Sequence, residues 1–379
     1  MKVSICHITS AHPRKDGRIF KRQCLTLASH NLETILVTCD GLPNEFIDGV
    51  NIQSYSDHKL SKRERFKLLF FNKRFVNYLL RIDAQVYQFH DIELMEVGKA
   101  LKKKGKKVIF DSHENWPGYI ESLLPKLRIL RIIANNSILH YYRKTLPLFD
   151  AIFTVSPNLV EDLEVFSDKV FLIPNYPLLS EVAESNVKRG QKNYFVYAGS
   201  VYQMSNQINI AKAISLIDSD VQYKIIGGIN SEYKSQIQNE DIKNRIEFIP
   251  WVDKSVLNKL MANSLAGLVL LGYVPICCGR MGQLGSNKLF EYMAAGIPVI
   301  CTDFVLWKEI IKKYKCGICV NPYNVGEIKN AMEYIVLNRE DAIKMGENGR
   351  KAILNEYNWN LHIDKFLSCY LKLLNYNDN

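Results

Sequence analysis

A chain of 379 residues is longer than one hydrophobic core usually organises, so two domains are expected. Its composition, 47% hydrophobic and 23% charged, is that of a globular protein, and no apolar run reaches the roughly 18–20 residues of a membrane span. The net charge of +10 suits nucleic acid, an anionic membrane or phosphate-bearing substrates, and the total alone does not choose among them. The first nine residues are too short and polar for a secretory signal and read as a strand, so a cytoplasmic location is expected. Nine cysteines without an even framework imply reduced thiols. A zinc site from Cys277-Cys278 and Cys316-Gly-Ile-Cys319 is conceivable, but the vicinal pair has poor ligand spacing and no histidine neighbour, so no metal is expected.

Lys2 to Thr9 is the first predicted strand, followed by the turn-rich loop Ser10–Gly17, a helix from Arg18 to Ala28 and a second strand from Ile35 to Cys39. This order begins a Rossmann-like unit, in which ligands sit beyond the carboxyl ends of strands. The first loop has no Gly-x-Gly-x-x-Gly, which argues against a dinucleotide site. Asp16 is either a helix cap or a functional carboxylate. From Lys59 to Arg81, Lys and Arg alternate with Phe66, Leu69, Phe70, Phe71 and Phe75, with Glu64 the only acid. Such a basic amphipathic segment suits either an anionic membrane interface or plain packing, and Lys126 to Lys144 repeats the pattern.

Strands over 83–90 and 108–110 end in His90-Asp91 and in Asp111-Ser-His113-Glu114. Histidine donates to phosphate or sugar hydroxyls, and a neighbouring carboxylate sets its tautomer. Strands near Ala151 and Val170 close the first domain, and the polar run Ser180 to Asn193 reads as a linker. The second domain opens with Tyr194 to Ser200, a strand into a loop. Strands over 223–228, 246–252 and 265–271 follow, the second of these ending on Trp251 and Val252. Asp218-Ser-Asp220 reads as a turn before a strand. Val325 to Leu337 is a helix, Gly346 and Gly349 start or interrupt the next, and Leu361 to Leu374 is the last.

The most informative stretch is Gly285 to Asp303: a loop, a helix and a buried strand. Ser286 or Asn287 can cap the helix, Gly296 ends it and Pro298 forbids its continuation. A helix N-terminus carries about half a positive charge and is a seat for phosphate, to which Lys288 adds a formal charge. Glu291, one turn in, can accept from vicinal sugar hydroxyls.

Asn-Lys-Leu-Phe-Glu-Tyr-Met-Ala-Ala-Gly-Ile-Pro-Val-Ile, from Asn287 to Ile300, resembles the donor-site signature of family-4 retaining glycosyltransferases. The resemblance implies an α/β chain of two Rossmann-like domains facing across a cleft, the GT-B architecture. The domains would be 1–178, with a returning helix over 358–379, and 179–357. It implies a nucleoside-diphosphate sugar donor with no metal or other cofactor. The donor's diphosphate would lie on the N-terminus formed by Ser286, Asn287, Lys288 and Leu289, and its ribose on Glu291. Gly199, Ser200, Trp251 and Val252 would contribute further donor contacts. Glu291 matches the second Glu of the family's Glu–seven residues–Glu pair. The first falls on Gln283, and the segment after Gly199 lacks the family's Arg and Lys.

In the first domain, Asp-x-Arg-Ile at Asp16, His-Asp-x-Glu-Leu at His90 and Asp-x-His-Glu at Asp111 are similar to active-site segments of the same transferases. The resemblance makes His90 the donor-contacting histidine, with Asp16 and Glu291 beside it in catalysis. It assigns Asp16, Arg18, Asp91, His113 and Glu114 to the acceptor side. The acceptor implied is a lipid-linked glycan of surface polysaccharide (O-antigen or capsule), reached at the inner leaflet of the cytoplasmic membrane, with no nucleic acid partner. The alternatives are a nucleotide-sugar epimerase of the same fold and a non-catalytic basic binding protein.

Overall fold

The computed structural model describes residues 3–70, 72–123, 127–182 and 193–375. The chain divides into two compact units, Met1–Asn175 with His362–Asn379, and Tyr176–Leu361. The expected joins at 178/179 and 357/358 differ by a few residues because Tyr176 packs on Phe290 and Tyr357, and Trp359 N–H donates to Pro177 O at 2.8 Å. Those contacts keep both stretches with the second unit. Most of the expected linker, 183–192, lies outside the described residues, as does Phe71.

Unit 1 holds an eight-stranded sheet: β1 (Ser4–Ile8), β2 (Glu33–Thr38), β3 (Glu45–Ile47), β4 (Val50–Ser54), β5 (Val86–Phe89), β6 (Lys107–Asp111), β7 (Ala151–Thr154) and β8 (Val170–Leu172). The spatial order is β3-β4-β2-β1-β5-β6-β7-β8, parallel throughout except for the β3–β4 hairpin at one edge. Leu36, Tyr87, Phe89, Val108, Phe110 and Ile152 are buried, as expected of a sheet covered on both faces. The chain runs outward from β1 through β2 and β4, then returns to the other side of β1 as β5. Above that reversal the connections diverge and leave a crevice at the carboxyl ends of β1 and β5.

Unit 2 repeats the plan with β9 (Tyr194–Ala198), β10 (Gln222–Ile226), β11 (Ile246–Ile249), β12 (Gly267–Val269), β13 (Val299–Thr302) and β14 (Gly317–Val320). Their order, β11-β10-β9-β12-β13-β14, is wholly parallel and reverses between β9 and β12.

Two expectations change. The basic segment 59–81 is two helices, Lys62–Lys67 and Lys73–Ile82, because a capping box at Ser61 and Glu64 starts the first and its last turn tightens at Leu68. Phe75, Val76 and Leu79 are core, so the second helix spends its apolar face on packing. Helix Arg339–Asn355 runs unbroken through Gly346 and Gly349. A methyl group at Gly346 would lie 2.2 Å from Gly296 O, and one at Gly349 would lie 3.3 Å from Met293 Cγ. These glycines admit the close approach of helix Asn287–Ala295 rather than ending their own helix.

Candidate active site

In unit 2 the crevice is built largely from backbone. Gly199 and Gly227, just past the ends of β9 and β10, take φ of +137° and +133°, which disfavours any side chain. Gly199 N–H donates to Ile226 O at 2.8 Å and Val201 N–H to Gly228 O at 2.8 Å, so the two loops are tied together. Ser200 O accepts from Tyr197 Oη at 2.8 Å. Trp251 is 62% exposed, and its Nε1 would lie 3.2 Å from a methyl group on Gly228, so the indole lies over the glycine turn. Val252 is half-buried against the core.

Lys288 reaches the same loop. A methyl group on Gly199 would meet its Cε at 2.6 Å and its Nζ at 2.7 Å, and Nζ lies 5.4 Å from the Tyr197 ring centroid. Burial lowers the pKa of this ammonium and nearby Glu291 raises it. Helix Asn287–Ala295 begins beneath it, with Ser286 at the cap position and Gly296 at φ +71° closing the far end. The Ser286 hydroxyl makes no capping bond. Leu289 is fully buried, so only its backbone can meet a ligand. Glu291, with 30% of its side chain exposed, stands 3.8 Å from Lys254 Nζ and lines a pocket of about 190 Å³ with Glu181, Asn258 and Met261.

Gln283, the position matched to the family's first Glu, donates to Ile276 O at 3.1 Å, while its buried Oε1 has no partner. Sequence reasoning passed over the cluster beside it. Tyr273 Oη donates to Asp303, and Arg280 lies over the Tyr273 ring at 4.3 Å. Asp303 follows β13 at a carboxyl end, and that position was the available signal.

In unit 1 the crevice is lined by ionisable side chains, and several are not where the resemblance put them. His90 is a correction. Its side chain is 0% exposed, with Nδ1 2.9 Å from Asp111 Oδ2 and Nε2 3.0 Å from His7 Nδ1, so both ring nitrogens are engaged inside the unit and neither faces a ligand. Because a carboxylate only accepts, His90 carries a proton on Nδ1, directed at Asp111. Arg18 is a second correction. It is buried, with Nε 2.9 Å and Nη2 2.7 Å from the Asp111 carboxylate, and its Nη1 donates to Ile173 O, so it does not face an acceptor. Asp111 also accepts from Gln23 at 2.9 Å. Burial pushes the Asp111 carboxyl up, but Arg18 and His90 hold it well below the usual carboxylate range. His7 is kept well below its ordinary value by burial and then by His90. Among the described residues, His90, Asp111 and His113 bring ligand atoms within 4.8 Å of one another. Both Asp111 oxygens are already bonded, so this set does not fit a cation.

Nearer the surface, Asp16 caps the following helix by accepting from Arg18 N–H at 2.7 Å and Ile19 N–H at 2.9 Å. Burial opposes its ionisation, but the Ile19 N–H, His12 and the Arg18 N–H bring its pKa below the ordinary value. The helix begins with wide π-type turns over Gly17–Cys24. Asp91 is buried and fixes the first loop, its Oδ2 accepting from Thr9 Oγ1 at 2.9 Å and Ser10 N–H at 2.7 Å. His113 is partly covered, with Nδ1 3.2 Å from Asp111 O, and burial lowers its pKa to about 4. Glu114 is exposed at the end of β6. His12, not selected from the sequence, sits among these groups 5.1 Å from His113, ring to ring.

Residues 180–352 match the family model described as Glycosyl transferases group 1. Among curated proteins none matches the chain in sequence. Solved structures match it in fold. A sucrose-phosphate synthase from Thermosynechococcus elongatus superposes with a TM-score of 0.80 at 17% identity, over 98% of this chain and 99% of the other. A glycosyltransferase from Rickettsia africae gives 0.70 at 14%, over 98% and 99%. HepE of Anabaena, solved in complex with UDP-glucose, gives 0.71 at 11%, over 97% and 99%. The fold is therefore that of the GT-B glycosyltransferases. The matched span contains the Gly199 loop, Trp251 and helix Asn287–Ala295, so the chain carries a group 1 glycosyltransferase domain and is an enzyme of glycosyl transfer.

Proposed function

We propose that this enzyme is a family-4 transferase that moves a sugar, with retention, from a nucleoside diphosphate to a lipid-linked glycan of surface polysaccharide at an anionic membrane face. The observation that carries the donor half is the placement of Lys288 against the Gly199 loop, above the start of helix Asn287–Ala295 and at the β9 carboxyl end. A desolvated ammonium and a helix N-terminus converge there on backbone with no room for a side chain. Such a seat takes a diphosphate and stabilises it further as it leaves with the glycosidic electron pair. Lys288 supplies in this reading the charge that the segment after Gly199 lacks, and no metal is required. Glu291 takes the ribose, exchanging its contact with Lys254 for the sugar diol, and Trp251 covers the base.

The acceptor half is supported by the surface of unit 1. Leu127, Ile129, Leu130, Ile132 and Ile133 are exposed, Ile129 to 74%, around the start of helix Arg128–Thr145. That helix contains no acid and carries Arg128 and Arg131 beside the apolar side chains. Phe66 and Phe70, in edge contact at 5.7 Å, form a further exposed pair among lysines and arginines. Apolar side chains rimmed by cations suit the interface of an anionic bilayer. Among the described residues no helix is long and apolar enough to cross one.

The test is thermal stabilisation by UDP-, GDP-, ADP- and dTDP-sugars, with and without EDTA, for the wild type and Glu291→Ala. A ligand at 100 times its Kd adds about 2.7 kcal/mol to stability. A shift with one nucleotide series, retained in EDTA and lost in Glu291→Ala, is expected. No shift with any donor would defeat the reading.

A further inference from the structure

Cys301, Cys316 and Cys319 lie on or beside the last two strands of unit 2, and all are free thiols. Neither the donor seat nor the acceptor surface uses them. In the sequence Cys316 and Cys319 form a Cys-x-x-Cys, a spacing found in redox dithiols. The fold cancels that pairing. Gly317–Val320 is a strand, and Val299 N–H donates to Cys316 O at 3.2 Å at its entrance. Three residues of extended chain separate Cα atoms by about 10 Å, beyond the roughly 7 Å that a disulfide spans. Cys316 is turned toward helix Arg339–Asn355, where a methyl group on Gly349 would lie 3.4 Å from its Cβ.

Register brings a different pair together. β13 and β14 run parallel with Cys301 directly opposite Cys319, so both side chains stand on one face of the sheet. Their sulfurs are 3.7 Å apart. Neighbouring strands keep their Cα atoms about 4.8 Å apart, inside the window of roughly 4.4–6.8 Å that a disulfide accepts. Rotation about χ1 can therefore close the bond without moving the backbone. Cys301 is completely buried, whereas Cys319 is partly exposed on β14, the edge strand. Contact with Cys319, and then burial, push the Cys301 thiol well above the ordinary cysteine value. A partly exposed sulfur backed by a buried one is the layout of a thiol that meets an oxidant and a second that resolves the product.

We propose that Cys301 and Cys319 form a reversible disulfide across β13 and β14 when the protein meets a hydroperoxide. With hydrogen peroxide, the Cys319 sulfur attacks one peroxide oxygen, the S–O bond forms and the O–O bond breaks. Cys319 becomes a sulfenic acid, and the departing hydroxide leaves as water with the thiol proton. Cys301 then attacks the Cys319 sulfur, the S–S bond forms and the S–O bond breaks. The hydroxyl leaves as water with the Cys301 proton. The two thiols lose two electrons, and the peroxide that takes them becomes two waters. The bond fastens the edge strand beside Thr302 and Asp303, whose Oγ1 and N–H already tie β13 to Leu271 O at 2.7 Å and to Val320 O at 3.0 Å. Neither donor nor acceptor takes part, so failure of the glycosyl-transfer reading leaves the disulfide untouched.

The experiment treats the full chain, reduced and then freed of reductant, with rising hydrogen peroxide. Samples are quenched with N-ethylmaleimide in denaturant and mapped by mass spectrometry without reduction. Two thiols lost per chain, a Cys301–Cys319 linked peptide two hydrogens lighter than its parts, and recovery of both thiols in dithiothreitol are expected. Cys301→Ser should abolish the linked peptide and let Cys319 go on to sulfinic acid, which dithiothreitol does not reverse. If that variant does not fold, Cys319→Ser, at the partly exposed site, takes its place, and Cys301 should then keep its thiol at the dose that oxidises the wild type. Exposed Met281 serves as the internal gauge of dose. Both thiols intact in the wild type once Met281 is a sulfoxide overturns the proposal. A link from Cys319 to Cys316, or wild-type Cys319 found as sulfinic acid with Cys301 still a thiol, overturns it as well.

Discussion

The sheets of unit 1 and unit 2 reverse at equivalent places, between β1 and β5 and between β9 and β12, yet the two crevices differ in chemistry. At β1 and β5 side chains make the site: histidines and carboxylates joined to one another and to Arg18. At β9 and β12 backbone makes it, through Gly199, Gly227 and the start of helix Asn287–Ala295, with Lys288 the cation that reaches in. All eight histidines of the chain lie in unit 1 and none in unit 2. A strand order fixes where a ligand goes but not what sign of charge meets it. Unit 1 is built to handle protons, and unit 2 to hold an anion.

The sharpest way to break this contrast is to unbalance the buried network. Asp111→Ala leaves Arg18 desolvated without its partner, and about 3–5 kcal/mol of stability should be lost, read by urea denaturation of the full chain. Lys288→Ala should instead leave urea stability within about 1 kcal/mol, since it removes one desolvated charge. It should abolish donor-induced stabilisation, about 2.7 kcal/mol at 100 times Kd, in the same thermal assay. Gly199→Ala combines an unfavourable φ with a contact on Lys288, at a cost of about 1–3 kcal/mol and a weaker donor shift.

Acid should act on unit 1. His7 and His113 have folded pKa values below the unfolded one, so unfolding takes up protons below about pH 6.5, and stability falls as pH drops from there toward the His113 value of about 4. The contribution of Asp111 has the same sign and is lost at lower pH still, as its depressed folded pKa is passed. Hydrogen exchange at pH 7 and pH 5 should show protection lost in β1, β5 and β6 before β9 and β13. The smallest effect on folding is expected from Ile129→Asp with Ile132→Asp, within about 0.5 kcal/mol per site because both are exposed. The pair should nonetheless abolish sedimentation with phosphatidylglycerol vesicles. Unchanged sedimentation would remove the membrane half of the functional reading.

Much of unit 2 was legible because its signals are local. Gly296 and Pro298 end the helix by their own backbone restrictions, and the run Val299–Cys301 is buried as its composition requires. The Ser286 cap was over-read, since a residue that suits capping need not make the bond. Unit 1 was legible in its strands and less so in its site. His90 and Arg18 stand next to the right loops, but sequence spacing does not say which face of a strand end points inward. Here Asp111 draws both of them into the core. His12 was missed because its partners, Asp91 and His113, lie far along the chain. Its only local hint is Asp16 four residues on.

Tyr370, on helix Ile363–Asn375, donates to Gln88 and lies 3.4 Å from His7 Nε2. It belongs to unit 1 but follows the whole of unit 2 in the chain. During synthesis, unit 2 emerges complete while the polar centre of unit 1 still lacks one of its members. Unit 1 therefore waits, its first strands already made, for a segment that leaves the ribosome after its neighbour has had time to fold. A nascent chain stalled before Tyr370 holds a complete unit 2 beside a unit 1 whose Gln88 and His7 still lack that hydroxyl.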